Sequence, residues 1–329
     1  MKRQRTFVIA LGGNSILRAN GKASLEEQYA TLWQTCGNLA SLLGGENCIV
    51  ITHGNGPQVG NLLLASEAVK DVIPTMPLDI CDAATQGWMG YMIQQTLANY
   101  LRARGLKHNI TTVVTQIVVD KDDSAFKQPT KPIGPFYDLS EAERLRQERE
   151  WELIEDSNRG YRRVVPSPKP VKIQEARIIR NMLDNGEIVI AVGGGGIPVV
   201  REENRNLRGV EAVIDKDYAS SRLAIDLDAD AILFLTGVEK VFRNFGLPSQ
   251  KALDNLTLIE AKRLLAEGQF GVGSMEPKIR GAIEFLEATG ESVANREREV
   301  IITLPETLDK ALRRKTGTRI SANKPSSGH

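Results

Sequence analysis

The chain has 329 residues, 41% hydrophobic and 25% charged, an ordinary globular balance long enough for one large core or two lobes. A formal net charge of +1 removes any global electrostatic case for nucleic acid or an anionic membrane, so anion chemistry must come from local cations. No apolar run approaches membrane-spanning length, the basic start Met1-Lys2-Arg3-Gln4-Arg5 lacks the apolar stretch of a secretory signal, and Cys36, Cys48 and Cys81 read as free thiols in a reducing cytoplasm.

Strand-type and helix-type segments alternate along most of the chain. Phe7 to Leu11 reads as a buried strand. Ser24 to Leu43 reads as a helix with Ser24 and Glu27 as a capping box, stopped at Gly44-Gly45. A strand over Cys48–Thr52 and helices over 57–70 and 82–104 follow, then a strand over 112–119. The alternation resumes with a helix over 172–184, a strand over 187–192, a helix over 217–227 and a strand over 231–236. Helices over 257–267 and 277–288, a strand over 299–303 and a helix over 306–314 complete it. Continuous apolar strands separated by helices predict a largely parallel sheet covered on both faces, in one domain over 1–320. Residues 120–170 differ: they hold six of the fourteen prolines and a Glu/Arg-dense helix near 140–156, and read as a protruding subdomain or lid. The polar end over 321–329 reads as a disordered tail.

Three strands run into glycines: Leu11 into Gly12-Gly13-Asn14, Thr52 into His53-Gly54-Asn55-Gly56, and Val192 into Gly193-Gly194-Gly195-Gly196. Such turns place bare backbone N–H groups around an anion. There is no P-loop, Rossmann fingerprint, protein-kinase set or zinc motif. His53, inside a glycine turn, reads as a residue that orients its loop.

Lysines are the candidates for chemistry. Lys216 and Lys278 each stand at an expected helix start, where the helix dipole disfavours a cation unless an anion shares the site. Asp217, beside Lys216, reads as a carboxylate that holds both ammonium groups, as a helix N-cap, or as both. Lys131 lies in the expected lid, within reach of a substrate on closure.

These segments, with Lys131-Pro132-Ile133-Gly134-Pro135-Phe136, Val164 to Pro170, Gly209 to Asp217 and Gly273-Ser274-Met275-Glu276-Pro277-Lys278, together resemble the carbamate kinases, in order and over about residues 6–320. The resemblance implies the amino acid kinase fold: an αβα sandwich around a largely parallel eight-stranded central sheet, working as a homodimer. It implies reversible phosphoryl transfer, ATP plus carbamate to ADP plus carbamoyl phosphate, in the cytoplasm, at the end of arginine or purine-derived catabolism. Carried over by position, Gly12, Gly13, Asn14, Gly54, Asn55 and Gly56 hold the phosphoryl group and carbamate. Gly194, Gly195, Lys216, Asp217, Thr236, Val238, Val241, Met275, Pro277 and Lys278 line the nucleotide, and Lys131, Lys216, Asp217 and Lys278 carry the catalysis. The first glycine turn has no lysine, as in carbamate kinases, and Lys131 supplies that charge instead.

Mg²⁺ is expected to arrive with ATP or ADP, with Asp217 as its one candidate protein contact. Carbamate is already an anion, so no general base is required. The rival readings are another acyl-phosphate-forming amino acid kinase and a nucleotide or phosphate sensor without turnover.

Overall fold

The computed structural model describes residues 4–16, 24–43, 45, 47–156, 159–288 and 297–322. In chain order the first half contains β1 (Thr6–Leu11), α1 (Leu25–Leu43), β2 (Cys48–His53), α2 (Gly56–Ala68), α3 (Leu78–Arg102), β3 (Ile110–Thr112) and β4 (Gln116–Val119). The middle contains β5 (Lys131–Tyr137), α4 (Leu139–Arg149), β6 (Leu153–Glu155), β7 (Tyr161–Val165), β8 (Pro170–Ile173), α5 (Ala176–Asp184), β9 (Ile188–Ile190), β10 (Ile197–Arg201) and β11 (Leu207–Gly209). The last part contains α6 (Lys216–Asp226), β12 (Ala231–Leu235), β13 (Val241–Arg243), β14 (Lys251–Leu253), β15 (Asn255–Thr257), α7 (Leu258–Ala266), α8 (Met275–Ala288), β16 (Glu299–Thr303), α9 (Leu308–Leu312) and β17 (Thr318–Ser321).

An eight-stranded sheet runs in the order β15-β17-β16-β12-β1-β2-β9-β3, and only β17, with its parallel neighbour β15, opposes the other strands. Its central strands are buried on both faces because their side chains alternate between two apolar layers. Val8, Ala10, Val50, Ile232 and Phe234 pack with residues of α5, α6, α7 and α8. Phe7, Ile9, Leu11, Ile49, Ile51, Leu233 and Leu235 pack with residues of α1, α3 and α9. This is the αβα sandwich that the sequence led us to expect. Cys36, Cys48 and Cys81 are free and buried.

The expected strand over 112–119 is two strands in different sheets: β3 ends the main sheet, and β4 joins the four-stranded sheet β11-β10-β4-β8. The break falls at Thr115, whose N–H donates not to a neighbouring strand but to Gln86 Oε1 of α3 at 2.8 Å. The expected helix over 172–184 starts at Ala176, because Pro170–Ile173 pairs with β4. The tail boundary also moves, since Ser321 ends β17 in register with Glu299; residues 323–329 lie outside the described residues, as does Gly44.

Within the proline-rich stretch, β5, β7 and β6 form an antiparallel sheet, and α4 covers it with Ala142 and Leu145 against Leu153, Tyr137, Trp151 and Tyr161. This small layer leans on α2. Gly60 and Gly134 pass so closely that a methyl on Gly60 would overlap the Gly134 backbone. Glu67 of α2 accepts from Arg149 and, at 3.4 Å, from Arg163.

Candidate active site

The site follows from the order of the parallel strands. β12, β1, β2 and β9 are neighbours and point the same way, so their carboxyl ends release four turns along one edge of the sheet. In open α/β sheets that edge is where anionic ligands meet backbone N–H groups. The turn after β1 is held down by Gly12 N, which donates to Leu235 O at 2.8 Å. A methyl on Gly12 would sit 2.5 Å from that same oxygen, so only glycine fits. Gly13 opens a short 3-10 turn that includes Asn14 and ends at Ser15.

After β2, Gly54 lies under the Lys216 side chain: an added methyl would be 3.2 Å from Lys216 Cδ. His53 is fully buried and its Nδ1 donates to Gly54 O at 3.1 Å, the loop-orienting role expected. Burial pushes its pKa down to about 4, so the ring is neutral near pH 7. Its Nε2 occupies the space of a Gly193 methyl, at 2.5 Å. Asn55 likewise fills the space of a Gly194 side chain. Gly194 and Gly195 have φ of +68° and +99°, a backbone that glycine adopts without strain. Gly56 opens α2 with free space where a side chain would stand.

The lysines converge on the start of α6. Asp217 is buried and accepts from both ammonium groups, Lys216 Nζ at 2.5 Å and Lys278 Nζ at 2.8 Å. Burial alone would raise the Asp217 pKa, but the two lysines outweigh it and hold the carboxylate well below its usual range. Burial lowers the Lys278 pKa, with Asp217 opposing. Lys278 Nζ also donates to Ser274 O at 2.9 Å, which fixes it within the first turn of α8. Lys131 of β5 reaches the same cluster through Asp215, at 2.5 Å. The helix N-cap is Asp215 rather than Asp217: Asp215 Oδ1 accepts from Asp217 N at 2.8 Å.

Three cations and two carboxylates therefore meet at one helix start, beside the glycine edge. Two side-chain supports had no sequence signal. Thr52 of β2 hydrogen-bonds Ser220 of α6 at 2.7 Å, tying the second glycine turn to the lysine helix. Ser221 Oγ donates to Asp217 O at 2.9 Å and occupies the space of a Gly281 side chain on α8.

The remaining expected residues are more dispersed. Thr236 follows β12 and its N donates to Thr303 O at 2.9 Å, while Val241 N donates to Thr318 Oγ1 at 2.7 Å. Val238 is half-buried between them, and Met275 and the buried Pro277 begin α8. Among the described residues no hydrogen bond joins Thr236, Val238 or Val241 to the lysine cluster. Nor does any group of three acidic, histidine or cysteine side chains there form a metal cage. Both oxygens of Asp217 already accept from ammonium groups, so they do not fit a resident cation. No described helix is long and apolar enough to cross a membrane.

Comparison with known proteins matches residues 5–294 to the Amino acid kinase family. Carbamate kinase from Thermococcus kodakarensis is 49% identical over 97% of this chain and 99% of its own. Carbamate kinase from Clostridium perfringens is 45% identical over 95% and 99%. Carbamate kinase from Giardia lamblia, solved bound to AMP-PNP, superposes with a TM-score of 0.87 at 42% identity, covering 98% of this chain and 99% of that one.

Proposed function

We propose, from the premise that the chain belongs to the amino acid kinase family and to its carbamate kinases, that this phosphotransferase works toward ATP, passing the phosphoryl group of carbamoyl phosphate to ADP. The observation that carries the reading is the shared Asp217 carboxylate, which holds Lys216 and Lys278 side by side at the glycine edge.

In-line phosphoryl transfer spreads negative charge over the moving group and both bridging oxygens. Lys216 and Lys278 answer that charge from the nucleotide side. The backbone N–H groups of the Gly12-Gly13-Asn14 and Gly54-Asn55-Gly56 turns hold the phosphoryl oxygens. Lys131 approaches from the three-stranded layer, and exchanges Asp215 for the acyl phosphate. Thr236, Val238, Val241, Met275 and Pro277 border the nucleoside, with Gly194 and Gly195 lining the floor. Asp217, pulled far toward its ionised form by two lysines, is a poor proton acceptor, and carbamate carries no proton that must be removed. Positioning and charge therefore supply the catalysis. Mg²⁺ comes as part of the nucleotide substrate.

Carbamoyl phosphate is a strong phosphoryl donor, which favours ATP formation and a cytoplasmic place at the end of arginine or purine-derived catabolism. The outer face of α3 exposes Ile80, Trp88 and Tyr91 and is the proposed contact between two copies of the chain. A coupled assay of ATP formation from ADP and carbamoyl phosphate tests the function. Turnover with carbamoyl phosphate supports it, preference for another acyl phosphate moves it to a sister kinase, and nucleotide binding without turnover replaces it with a sensor.

A further inference from the structure

One buried acid has no part in the chemistry above. Asp82, in the second turn of α3, is buried and faces Asn55. Asn55 Nδ2 donates to Asp82 Oδ1 at 3.1 Å and to Thr85 Oγ1 at 2.9 Å, so both of its amide hydrogens are spent on α3. Thr85 is itself oriented, because its hydroxyl hydrogen goes to Asp82 O at 2.9 Å and leaves a lone pair for Asn55. An amide has two hydrogens and one oxygen. What remains for the site is the Asn55 carbonyl oxygen, to which no described residue donates, on a side chain pressed against Gly194.

A carbonyl oxygen repels phosphoryl and carboxylate oxygens. It accepts from an N–H group. Carbamate carries an amino group, whereas acetate and bicarbonate have none. We propose that Asp82 and Thr85 lock Asn55 as a hydrogen-bond acceptor and so select an acyl substrate that bears an N–H group. The proposal rests on the function above and assigns Asn55 to the amino end of the substrate, leaving the phosphoryl oxygens to backbone N–H groups. Asp82 and Thr85 are positioning residues in it.

The surroundings of Asp82 agree with this. Burial pushes its pKa well above the usual carboxylate range; the Asn55 hydrogen bond opposes the rise and the like charge of Asp79 adds to it. Asp82 Oδ2 has no hydrogen-bond partner among the described residues, a costly place for a full negative charge. In its uncharged form the acid still accepts through Oδ1 and brings no repulsion to an anionic substrate.

The test compares kcat/KM for ATP formation from carbamoyl phosphate and from acetyl phosphate in the wild-type chain, Thr85→Val and Asp82→Leu. A site built to accept an N–H discriminates strongly against an analogue without one, so the wild type should prefer carbamoyl phosphate by at least about a hundredfold. Each variant frees the amide to turn and should narrow that preference by about tenfold. A parallel loss on both substrates, with the ratio unchanged, reduces Asp82 and Thr85 to packing and overturns the inference. So does a wild type with no preference, which leaves the proposed function standing. A wild type that makes no ATP from carbamoyl phosphate removes the function itself. Thr85→Val, nearly isosteric, carries the decision if Asp82→Leu does not fold.

Discussion

Lys278 Nζ lies 2.8 Å from Asp217 Oδ2, joining α8 to α6 by a buried ion pair whose other carboxylate oxygen holds Lys216. Removing one member of a buried pair leaves the other uncompensated, and here the same groups are the proposed stabilisers of the transferring phosphoryl group. Lys216→Ala and Lys278→Ala should each lower kcat by about a hundredfold or more, the scale of one lost transition-state contact. Steady-state rates within about threefold of wild type for both variants would remove the phosphate assignment.

The spacing of that pair depends on a helix contact one turn further along. A Gly281 side chain would collide with Ser221 Oγ and approach Asp217 O to 3.2 Å. Gly281→Ala should push α8 from α6 and reduce kcat by about tenfold, on the sensitivity of transfer to small misplacements. Adding Ser221→Ala removes the colliding atom and should restore part of the loss. If the double variant is no better than Gly281→Ala alone, the crossing does not set the geometry.

Lys131 and Asp215 sit 84 residues apart in sequence and 2.5 Å apart in space. If Lys131 serves the acyl phosphate, Lys131→Ala should lower turnover of carbamoyl phosphate by at least about tenfold while ADP affinity, measured by calorimetry, changes little. An equal loss of ADP affinity would reassign the lysine to the nucleotide.

His53 predicts a pH dependence of stability. Its folded pKa is lowered to about 4 by burial, against 6.5 for an exposed imidazole. The unfolded chain therefore takes up a proton that the native chain refuses as pH falls through that window. The stability tied to the neutral ring is complete above about pH 6.5 and declines toward about pH 4, by on the order of 3 kcal/mol in all. Melting temperatures across the window should fall less in His53→Gln than in the wild type. Equal slopes would mean that other groups govern the acid limb.

Much of the fold was legible because local chemistry and global packing agree here. Phe7–Leu11, Cys48–Thr52 and Ala231–Leu235 are continuous apolar runs, and such runs fit a parallel strand buried on both faces. The helices between them show the apolar spacing and glycine stops that bound a helix. The residues over 112–119 were harder, because one apolar run serves two sheets, and the break between them falls where Thr115 N–H turns to Gln86 of the preceding helix α3. Short strands such as β13, β14 and β15 carry too few residues for a period to show.

The sequence determined the types of group in the site: glycine turns at strand ends, and lysines placed where a helix start disfavours them. Those are local facts, fixed by backbone sterics and the helix dipole. Tertiary structure decided which groups meet. Asp217 takes both lysines, Asp215 rather than Asp217 caps α6, and Asp82 with Thr85 turns the Asn55 amide. The Lys278–Asp217 pair and the bonds of Asn55 to Asp82 and Thr85 join residues far apart in the chain, and each depends on how closely two buried helices or turns can approach, a property of packed volume that no single stretch of sequence carries.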